Sequence, residues 1–189
     1  MNAPARAAVF LDKDGTLVED IPYNVDPRLL RFTPGVAAGL RRLHDAGFLL
    51  VVVSNQSGIA RGRFTEAQFA LLQAAMRQRL RAAAGVELAA FEYCPHAPDA
   101  GCECRKPRPG MLRRAACAHG ICLERSWMIG DILDDVEAGR RAGCRTVLVD
   151  RGGEREWRPS PLRDADHVCN GFAAATAFVL RHSPAADRR

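Results

Sequence analysis

The stretch FLDKDGTLVED, residues 10–20, is the part of the sequence that decides the fold. It begins inside the apolar run AAVFLD at 7–12, which is short and continuous enough for a strand buried on both faces of a parallel sheet. Asp12 and Asp14 follow at the end of that strand, where an uncompensated charge would be costly. Gly15 permits a sharp bend behind them. We therefore predict a strand whose carboxyl end presents two carboxylates.

Four further apolar runs predict four more strands, and helical patterns lie between them. The runs are FLLVVVS at 48–54, LAAFEYC at 88–94, SWMIGD at 126–131 and TVLVD at 146–150. Helix starts are predicted at the N-cap Thr33, at the capping box of Thr65 and Gln68, and at Pro109, with a fourth helix over 134–142. Strands that alternate with helices indicate a parallel α/β sheet, which binds ligands at the carboxyl ends of its strands.

Length and composition are typical of one globular domain. The 189 residues are 48% hydrophobic and 26% charged, so we expect a single domain over residues 1–182 and a flexible tail at 183–189. No apolar run approaches the roughly 20 residues that cross a bilayer, and the first residues lack the apolar region of a signal peptide. We predict a cytoplasmic protein with no membrane partner.

The charge pattern argues against a nucleic-acid partner. The net charge is +5, but the arginines are scattered along the chain, without a continuous basic stripe or interleaved aromatic residues. A basic surface suits a small anionic substrate equally well. No large apolar helix face is evident in the sequence, so we predict a monomer.

A third acid predicts a metal site. Asp131, in GDILDD at 130–135, repeats the arrangement of Asp12 and Asp14 at the end of another strand. An Asp-Gly turn would explain the first pair alone. Three acids that meet at one sheet edge would repel one another unless a cation neutralised them, and an oxygen-only ligand set suits Mg²⁺.

Partners for a phosphate group can be found at the same edge. Ser54 and Asn55 end the second strand, and the main-chain N–H groups of the following QSG can bind phosphoryl oxygens. Only two of the 27 basic residues Lys and Arg are lysines, and one of them, Lys106, follows the cysteine cluster directly. A compact ammonium group suits a phosphoryl oxygen, so we interpret this lysine as a phosphate ligand rather than as a solvated surface charge.

The segment CPHAPDAGCEC contains a second metal-ligand pattern. Cys94, His96, Cys102 and Cys104 have the spacing C-x-H-x5-C-x-C, in a segment whose prolines and glycine predict a loop. Three thiolates and an imidazole suit tetrahedral Zn²⁺ with no open position, hence a structural zinc loop over 94–104. The loop runs directly into Arg105 and Lys106, which predicts that the zinc fixes the backbone that aims these two cations at the substrate.

Four motifs together resemble those of the haloacid dehalogenase (HAD) phosphatase superfamily. They are DKDGT at 12–16, the strand that ends in Ser54, Lys106, and GDILDD at 130–135, and the similarity covers about residues 7–150. The resemblance implies an α/β, Rossmann-like parallel sheet with helices on both faces. It also implies that Ser54 and Lys106 stabilise the phosphoryl group during transfer.

The roles of the acids follow from the same resemblance. Asp12 would be the nucleophile that forms an aspartyl-phosphate, and Asp14 would be the general acid and base. Mg²⁺ would be bound by Asp12, by the main-chain carbonyl of Asp14 and by Asp131. Asp135 would orient that site from behind. The segment between residues 18 and 33 is too short for a large cap domain, so the site should be open.

Two longer stretches narrow the resemblance to the heptose 1,7-bisphosphate 7-phosphatase family. NQSGIARGRFTEAQF at 55–69 and CRKPRPGML at 104–112 are similar to that family and imply hydrolysis of the C7 phosphate of D-glycero-D-manno-heptose 1,7-bisphosphate. Arg105 would recognise the phosphate at the far end of the sugar, with Arg61 or Arg63 as further cations. The residues implied for substrate binding are Asp20, Tyr23, Ser54, Asn55, Gln56, Ser57, Arg105 and Lys106.

Two departures keep other activities open. Five residues separate His96 from Cys102, a spacing also found in histidinol-phosphate phosphatases, and Ile132 stands where the heptose enzymes often carry a lysine. The first alternative is therefore a histidinol-phosphate phosphatase. An open site would also admit the end of a polynucleotide, so a polynucleotide 3′-phosphatase is a second alternative. A third is an interaction module that has the zinc loop but no catalytic activity.

Overall fold

Six strands form one sheet in the computed structural model, which describes residues 6–184. All strand pairs are parallel, and the spatial order is β3-β2-β1-β4-β5-β6. The strands are β1 (Ala8–Leu11), β2 (Leu49–Asn55), β3 (Ala90–Cys94), β4 (Trp127–Gly130), β5 (Arg145–Val149) and β6 (His167–Cys169).

Five helices cover both faces of the sheet. They are α1 (Val36–Asp45), α2 (Glu66–Ala84), α3 (Gly110–His119), α4 (Leu133–Ala142) and α5 (Phe172–His182). One buried cluster joins α1, α2 and α5 to one face, and a second cluster joins α3 and the small residues of α4 to the other. Alternate residues of β1 supply the two clusters, with Val9 and Leu11 in the first and Ala8 and Phe10 in the second. This two-sided burial explains the continuous apolar runs.

The predicted fold class is confirmed, and two elements were not predicted. The five predicted strands are present within one or two residues at each end, and Thr65 and Gln68 form the predicted capping box of α2. β6 has only three residues and lies at the sheet edge, and α5 has no side-chain N-cap, so neither carries a strong local signal.

The predicted start of α1 is wrong. Gly35, with a φ of 84°, precedes the first helical residue, Val36. The hydroxyl of Thr33 instead donates a hydrogen bond of 2.6 Å to the main-chain carbonyl of Thr16. The helix begins three residues after Thr33, so this hydroxyl is not at the N-cap position, and its bond to Thr16 ties the segment before α1 to the loop after β1.

The predicted flexible tail over 183–189 stays a prediction, because it falls mainly on residues 185–189, which lie outside the described residues. Ser183 is buried, and its hydroxyl accepts a hydrogen bond of 2.9 Å from the indole Nε1 of Trp127, so this residue is part of the packed domain. Within residues 6–184, no helix has the length and apolar character needed to cross a membrane.

Candidate active site

The carboxyl ends of β1 and β4 bring two of the predicted acids together. Asp12 directly follows β1, Asp131 directly follows β4, and these two strands are neighbours in the sheet. The main-chain N–H of Asp12 donates to the carbonyl of Ile129 at 2.9 Å, which extends the pairing to the acid itself. The sequence order of the strands reverses here, because β2 and β3 lie on one side of β1 while β4 to β6 lie on the other. Ligands of parallel α/β sheets bind at such points.

Three buried carboxylates and one ammonium group form what we call the acid site: Asp12, Asp131, Asp135 and Lys106. One oxygen from each carboxylate lies within 4.8 Å of the others. The Nζ of Lys106 forms ion pairs with Asp12 and, at 2.6 Å, with Asp135. It also donates a hydrogen bond of 3.0 Å to the carbonyl of Val53. Lys106 is 2% exposed, so its charge acts on these acids with little solvent screening.

The charges of the acid site are unequally compensated. Burial raises the pKa of Asp12 well above its ordinary value, and the neighbouring acids add to this rise, although Lys106 opposes it. Burial and Asp135 together raise the pKa of Asp131 to about 7. Burial would lower the pKa of Lys106, but Asp12 and Asp135 outweigh it and raise that pKa above its ordinary value. One lysine thus serves three acids, and the site has an affinity for further positive charge.

The surroundings of Asp131 leave room for a small cation. Gly15 has a φ of 81°, and a Cβ on either Gly15 or Gly153 would overlap the Oδ2 of Asp131. The hydroxyl of Thr16 donates to the other oxygen of Asp131 at 3.2 Å. Two glycines therefore keep one carboxylate oxygen accessible while a threonine fixes the other. The donors are all oxygens, and this set fits Mg²⁺.

Asp14 lies beside the acid site, and its side chain has separate partners. Its carboxylate forms an ion pair with Lys13 and accepts a hydrogen bond of 3.0 Å from Nε2 of Gln56. The same Nε2 donates to the hydroxyl of Ser54 at 2.7 Å. Gln56 thus links Asp14, the predicted general acid and base, to Ser54, a predicted phosphate ligand. The predicted contact between Mg²⁺ and the carbonyl of Asp14 stays a prediction.

Asn55 fixes the main chain of Lys106. Its Nδ2 donates to the carbonyl of Lys106 at 3.1 Å, and its Oδ1 accepts from the main-chain N–H of Lys106 at 3.0 Å. A pair of reciprocal hydrogen bonds satisfies both main-chain groups of this residue at once. The end of β2 therefore aligns the lysine with the carboxylate at the end of β1.

Two adjoining cavities hold most of the predicted site residues. A cavity of about 550 Å³ is lined by Asp12, Asp14, Asp20, Ser54, Asn55, Lys106 and Asp131, among others. A smaller cavity of about 200 Å³ is lined by Tyr23, Gln56 and Ser57 and shares Asp14, Asp20 and Asn55 with the first. The open site predicted from the short 18–33 segment corresponds to these two cavities.

Arg105, a predicted substrate residue, lines neither of these two cavities. It lines a third cavity of about 540 Å³, together with Arg108 and Arg141, and this cavity adjoins the first at Lys106, which lines both. A contact between Arg105 and the substrate stays a prediction. The sequence reasoning in turn missed Arg151, Gly153 and Arg155, which line the cavity of about 550 Å³. The available signal was DRGGERE at 150–156, a glycine-containing segment that follows a strand at the same sheet edge.

The second metal-ligand cluster, which we call the metal loop, spans residues 94–104. The Sγ atoms of Cys94, Cys102 and Cys104 lie 3.2–3.5 Å from one another, and Nδ1 of His96 lies 3.2 Å from Cys104 and 3.5 Å from Cys94. A tetrahedron with zinc–sulfur bonds of about 2.3 Å has edges of about 3.8 Å. Four soft ligands at nearly this spacing fit a closed Zn²⁺ site.

The thiols of the metal loop have different proton affinities. Burial raises the pKa of Cys94 to about 12. Burial acts in the same direction on Cys102, but a hydrogen bond from the main chain of Arg105 and bonds to the other two thiols outweigh it and lower that pKa to about 7. The main-chain hydrogen bond from Arg105, the residue before Lys106, therefore connects Cys102 of the loop to the segment that carries this lysine.

Comparison with known families supports a phosphatase. Residues 103–175 match the model of the HAD-hydrolase-like family. A D-glycero-β-D-manno-heptose-1,7-bisphosphate 7-phosphatase of Haemophilus ducreyi is 43% identical over 92% of this chain and 98% of its own length. The protein of the same name from Pseudomonas aeruginosa is 36% identical over 94% of this chain and 99% of its own length.

A solved structure has the same architecture. The D,D-heptose 1,7-bisphosphate phosphatase of B. bronchiseptica, crystallised with magnesium and phosphate, superposes with a TM-score of 0.79. It is 33% identical to this chain, and the match covers 94% of this chain and 99% of the other. The similarity to the two relatives and to the solved structure thus extends over nearly the whole chain.

Proposed function

Because this chain belongs to the HAD-type family of heptose 1,7-bisphosphate 7-phosphatases and is a phosphomonoester hydrolase, we propose that its substrate is a heptose bisphosphate. The reaction would remove the C7 phosphate of D-glycero-β-D-manno-heptose 1,7-bisphosphate. The observation that carries this proposal is the buried Asp12 ion-paired with Lys106 in the wall of a cavity of about 550 Å³. Such a cavity has the size of a small-molecule site.

Asp12 is the proposed nucleophile. One of its carboxylate oxygens forms a bond to the C7 phosphorus, and the bond from phosphorus to the sugar oxygen breaks. A water molecule later forms a bond to the same phosphorus, which releases inorganic phosphate and restores the carboxylate. Lys106 neutralises charge on the phosphoryl oxygens during both steps, since its Nζ is already ion-paired to the attacking group. Ser54, at the end of β2, is the proposed hydroxyl partner of those oxygens.

Asp14 is the proposed general acid and base. It donates a proton to the departing sugar oxygen and later accepts one from the attacking water. The hydrogen bond from Gln56 and the ion pair with Lys13 hold its carboxylate at the border between the two cavities. We propose that Asp20, Tyr23, Asn55, Gln56 and Ser57 contact the sugar there.

Two metals complete the proposal. Asp12, Asp131 and the main chain of Asp14 would hold Mg²⁺, with Asp135 as the acid that orients Lys106 and the metal ligands. When bound, this ion supplies the positive charge that lets a carboxylate approach a phosphate dianion. Cys94, His96, Cys102 and Cys104 would hold Zn²⁺, whose role is to fix the loop before Lys106.

A kinetic comparison of substrates tests the proposed function. We expect kcat/KM for the β-anomer of heptose 1,7-bisphosphate to exceed that for histidinol phosphate by at least about tenfold, or about 1.4 kcal/mol in transition-state binding. Magnesium should be required, and metal analysis should find one zinc per chain. A preference for histidinol phosphate would overturn the substrate assignment while leaving the phosphatase chemistry intact.

One feature of the cavity makes histidinol phosphate a meaningful competitor. Glu19 and Asp20 both line the cavity of about 550 Å³, and an acid there would suit the ammonium group of histidinol phosphate. Glu19, however, faces the guanidinium of Arg151, with 3.3 Å between Oε1 and Nη2. A guanidinium group in the same cavity repels a substrate ammonium group and attracts a second phosphate, which favours the bisphosphate.

A further inference from the structure

The second phosphate of a bisphosphate requires a cationic site away from Asp12, and the proposed function therefore raises the question of which residues supply it. Among the described residues in the wall of the cavity of about 550 Å³, the cations are Lys106, Arg151 and Arg155. Lys106 is held between two carboxylates, so its charge is committed to the reacting end. The two arginines remain, and both lie on the segment that follows β5.

That segment is fixed against the acid site by its own hydrogen bonds. The carboxylate of Glu154 accepts from the main-chain N–H of Leu133, the first residue of α4, at 2.7 Å, and from that of Glu156 at 2.7 Å. Gly153 lies so close to Asp131 that a Cβ would overlap the carboxylate. The arginines on either side of this anchor are therefore carried by a positioned segment rather than by a free surface loop.

Two acids, Glu19 and Asp20, line the same cavity as these arginines. Glu19 pairs with Arg151 across 3.3 Å, and the Arg151 side chain is 33% exposed. Arg155 and Asp20 line the same cavity. Burial and then Asp14 raise the pKa of Asp20, while Lys13 and Arg155 oppose that rise. A long, partly exposed ion pair contributes little stability, so an incoming phosphate can replace Glu19 as the partner of Arg151.

Other cations near the site have different positions. Arg105 lines the cavity of about 540 Å³ on the side of the metal loop, which shares only Lys106 with the cavity that contains Arg151 and Arg155. Arg61 donates to the hydroxyl of Tyr23 at 2.8 Å, and the guanidinium of Arg63 lies 5.7 Å from the centre of the same ring. Ile132 adds only an apolar surface to the main cavity. The arginines of the 151–155 segment therefore face the reacting aspartate across one continuous space.

We propose that Arg151 and Arg155 bind the phosphate that is not cleaved and thereby set the preference of this enzyme for a bisphosphate over a monophosphate. Guanidinium groups match phosphate oxygens bidentately, and two of them neutralise a dianion. The two residues contact the end of the substrate remote from the reacting phosphorus, so they determine specificity and take no part in the chemical step.

The test compares two substrates in three variants and a control. Arg151→Gln, Arg155→Gln and the double variant are assayed on heptose 1,7-bisphosphate and on heptose 7-phosphate. We expect each single substitution to lower kcat/KM on the bisphosphate by about 10- to 100-fold, mainly through KM, and to leave the monophosphate within about twofold. Arg158→Gln is the matched control, since Arg158 is 77% exposed on the same segment and is not in the cavity wall.

Three results would overturn the assignment. Equal losses on both substrates would place the arginines at the reacting phosphate, and unchanged kinetics would remove them from the site. A loss selective for the bisphosphate in Arg105→Gln, without one in the 151–155 variants, would assign the second phosphate to the other cavity. A wild-type enzyme with no preference for the bisphosphate would instead overturn the proposed function, so the two failures are distinguishable.

Discussion

The acid site and the metal loop are two clusters of metal-ligating side chains built in different ways. The acid site takes its ligands from the ends of two adjacent strands and from the first turn of α4, and it contains its own cation, Lys106. The metal loop takes three of its four ligands from an irregular segment, with His96 exposed and Cys102 and Cys104 half-buried. A sheet edge positions its ligands before any ion binds, whereas a loop of thiols depends on the ion for its shape.

Asn55 and the main chain of Arg105 connect these two regions. Asn55 holds both main-chain groups of Lys106, and Arg105 donates its N–H to Cys102. Loss of the metal loop should therefore weaken catalysis through the position of Lys106, while loss of the acid site should remove catalysis with little effect on the loop. The predictions below test this difference, from the largest effect to the smallest.

The largest effect is expected from Asp12→Asn. The amide cannot act as the nucleophile, so kcat on para-nitrophenyl phosphate should fall by at least about 1,000-fold. The zinc content and melting temperature should stay near those of the wild type. Asp45→Asn, at a side chain that is 62% exposed, is the matched control and should keep full activity. Substantial turnover in the Asp12 variant would remove this residue from its proposed role.

Gly15→Ala should disturb the acid site without a change of charge. The new Cβ overlaps Asp131, so we expect kcat/KM to fall by about 10- to 100-fold and the magnesium requirement to rise. Gly62→Ala is the matched control, because Gly62 also has a positive φ, 64°, but has no neighbour within 4 Å of a Cβ. Both variants should lose about 1 kcal/mol of unfolding free energy from backbone strain. Equal kcat/KM values in the two variants would contradict the proposed binding of Mg²⁺ beside Asp131.

Cys102→Ala should affect the metal loop first and turnover second. We expect loss of bound zinc, a fall of about 3 kcal/mol in unfolding free energy, and a decrease of about tenfold in kcat/KM. Cys117→Ala, at an exposed cysteine of α3, should leave all three measurements unchanged. Metal analysis, thermal melting and steady-state kinetics give the result, and an unaltered melting temperature would refute a structural role for zinc.

A double-mutant cycle tests whether the two regions communicate through Lys106. Asn55→Ala should lower kcat by about tenfold, because it frees the main chain of Lys106. In the Cys102→Ala background the same substitution should cost less, since the lysine is already displaced, with a coupling of about 0.5–1 kcal/mol. Strict additivity would mean that the metal loop acts on catalysis by another route.

The smallest effect on turnover is expected outside both regions, at Glu137 of α4. Burial would raise the pKa of this carboxyl, but Arg141 and Arg163 outweigh it and hold the pKa below its ordinary value. A carboxyl group whose pKa is lowered by folding stabilises the protein at pH values above its unfolded pKa of about 4.5. This stabilisation is lost as the pH falls through the folded pKa. Glu137→Gln should therefore lower unfolding free energy by about 1 kcal/mol at pH 7 and by less below pH 4. Turnover at pH 7 should be unchanged, and Glu156→Gln, at an exposed pair, should show neither effect.

The fold and the two clusters of metal-ligating side chains could be predicted because both depend on local patterns. Apolar runs such as 48–54 identified the buried strands, and acids at strand ends identified the edge where Asp12 and Asp131 meet. β6 was missed because a three-residue edge strand is stabilised by its pairing with β5 rather than by its own residues. Thr33 was misassigned as a helix cap, since its distant partner, Thr16, is not visible to a local rule.

The sequence by itself determined the parallel α/β fold, the family, and which side chains are available as acids, thiols and cations. Only the tertiary structure decided which of those charges face one another. It placed Lys106 between Asp12 and Asp135, put Arg105 in the wall of a second cavity that adjoins the first at Lys106, and brought Arg151 and Arg155 into one cavity with Glu19 and Asp20. The physical reason is that propensities act over a few residues, whereas electrostatic partners are chosen by how strands from distant parts of the chain are ordered in the sheet.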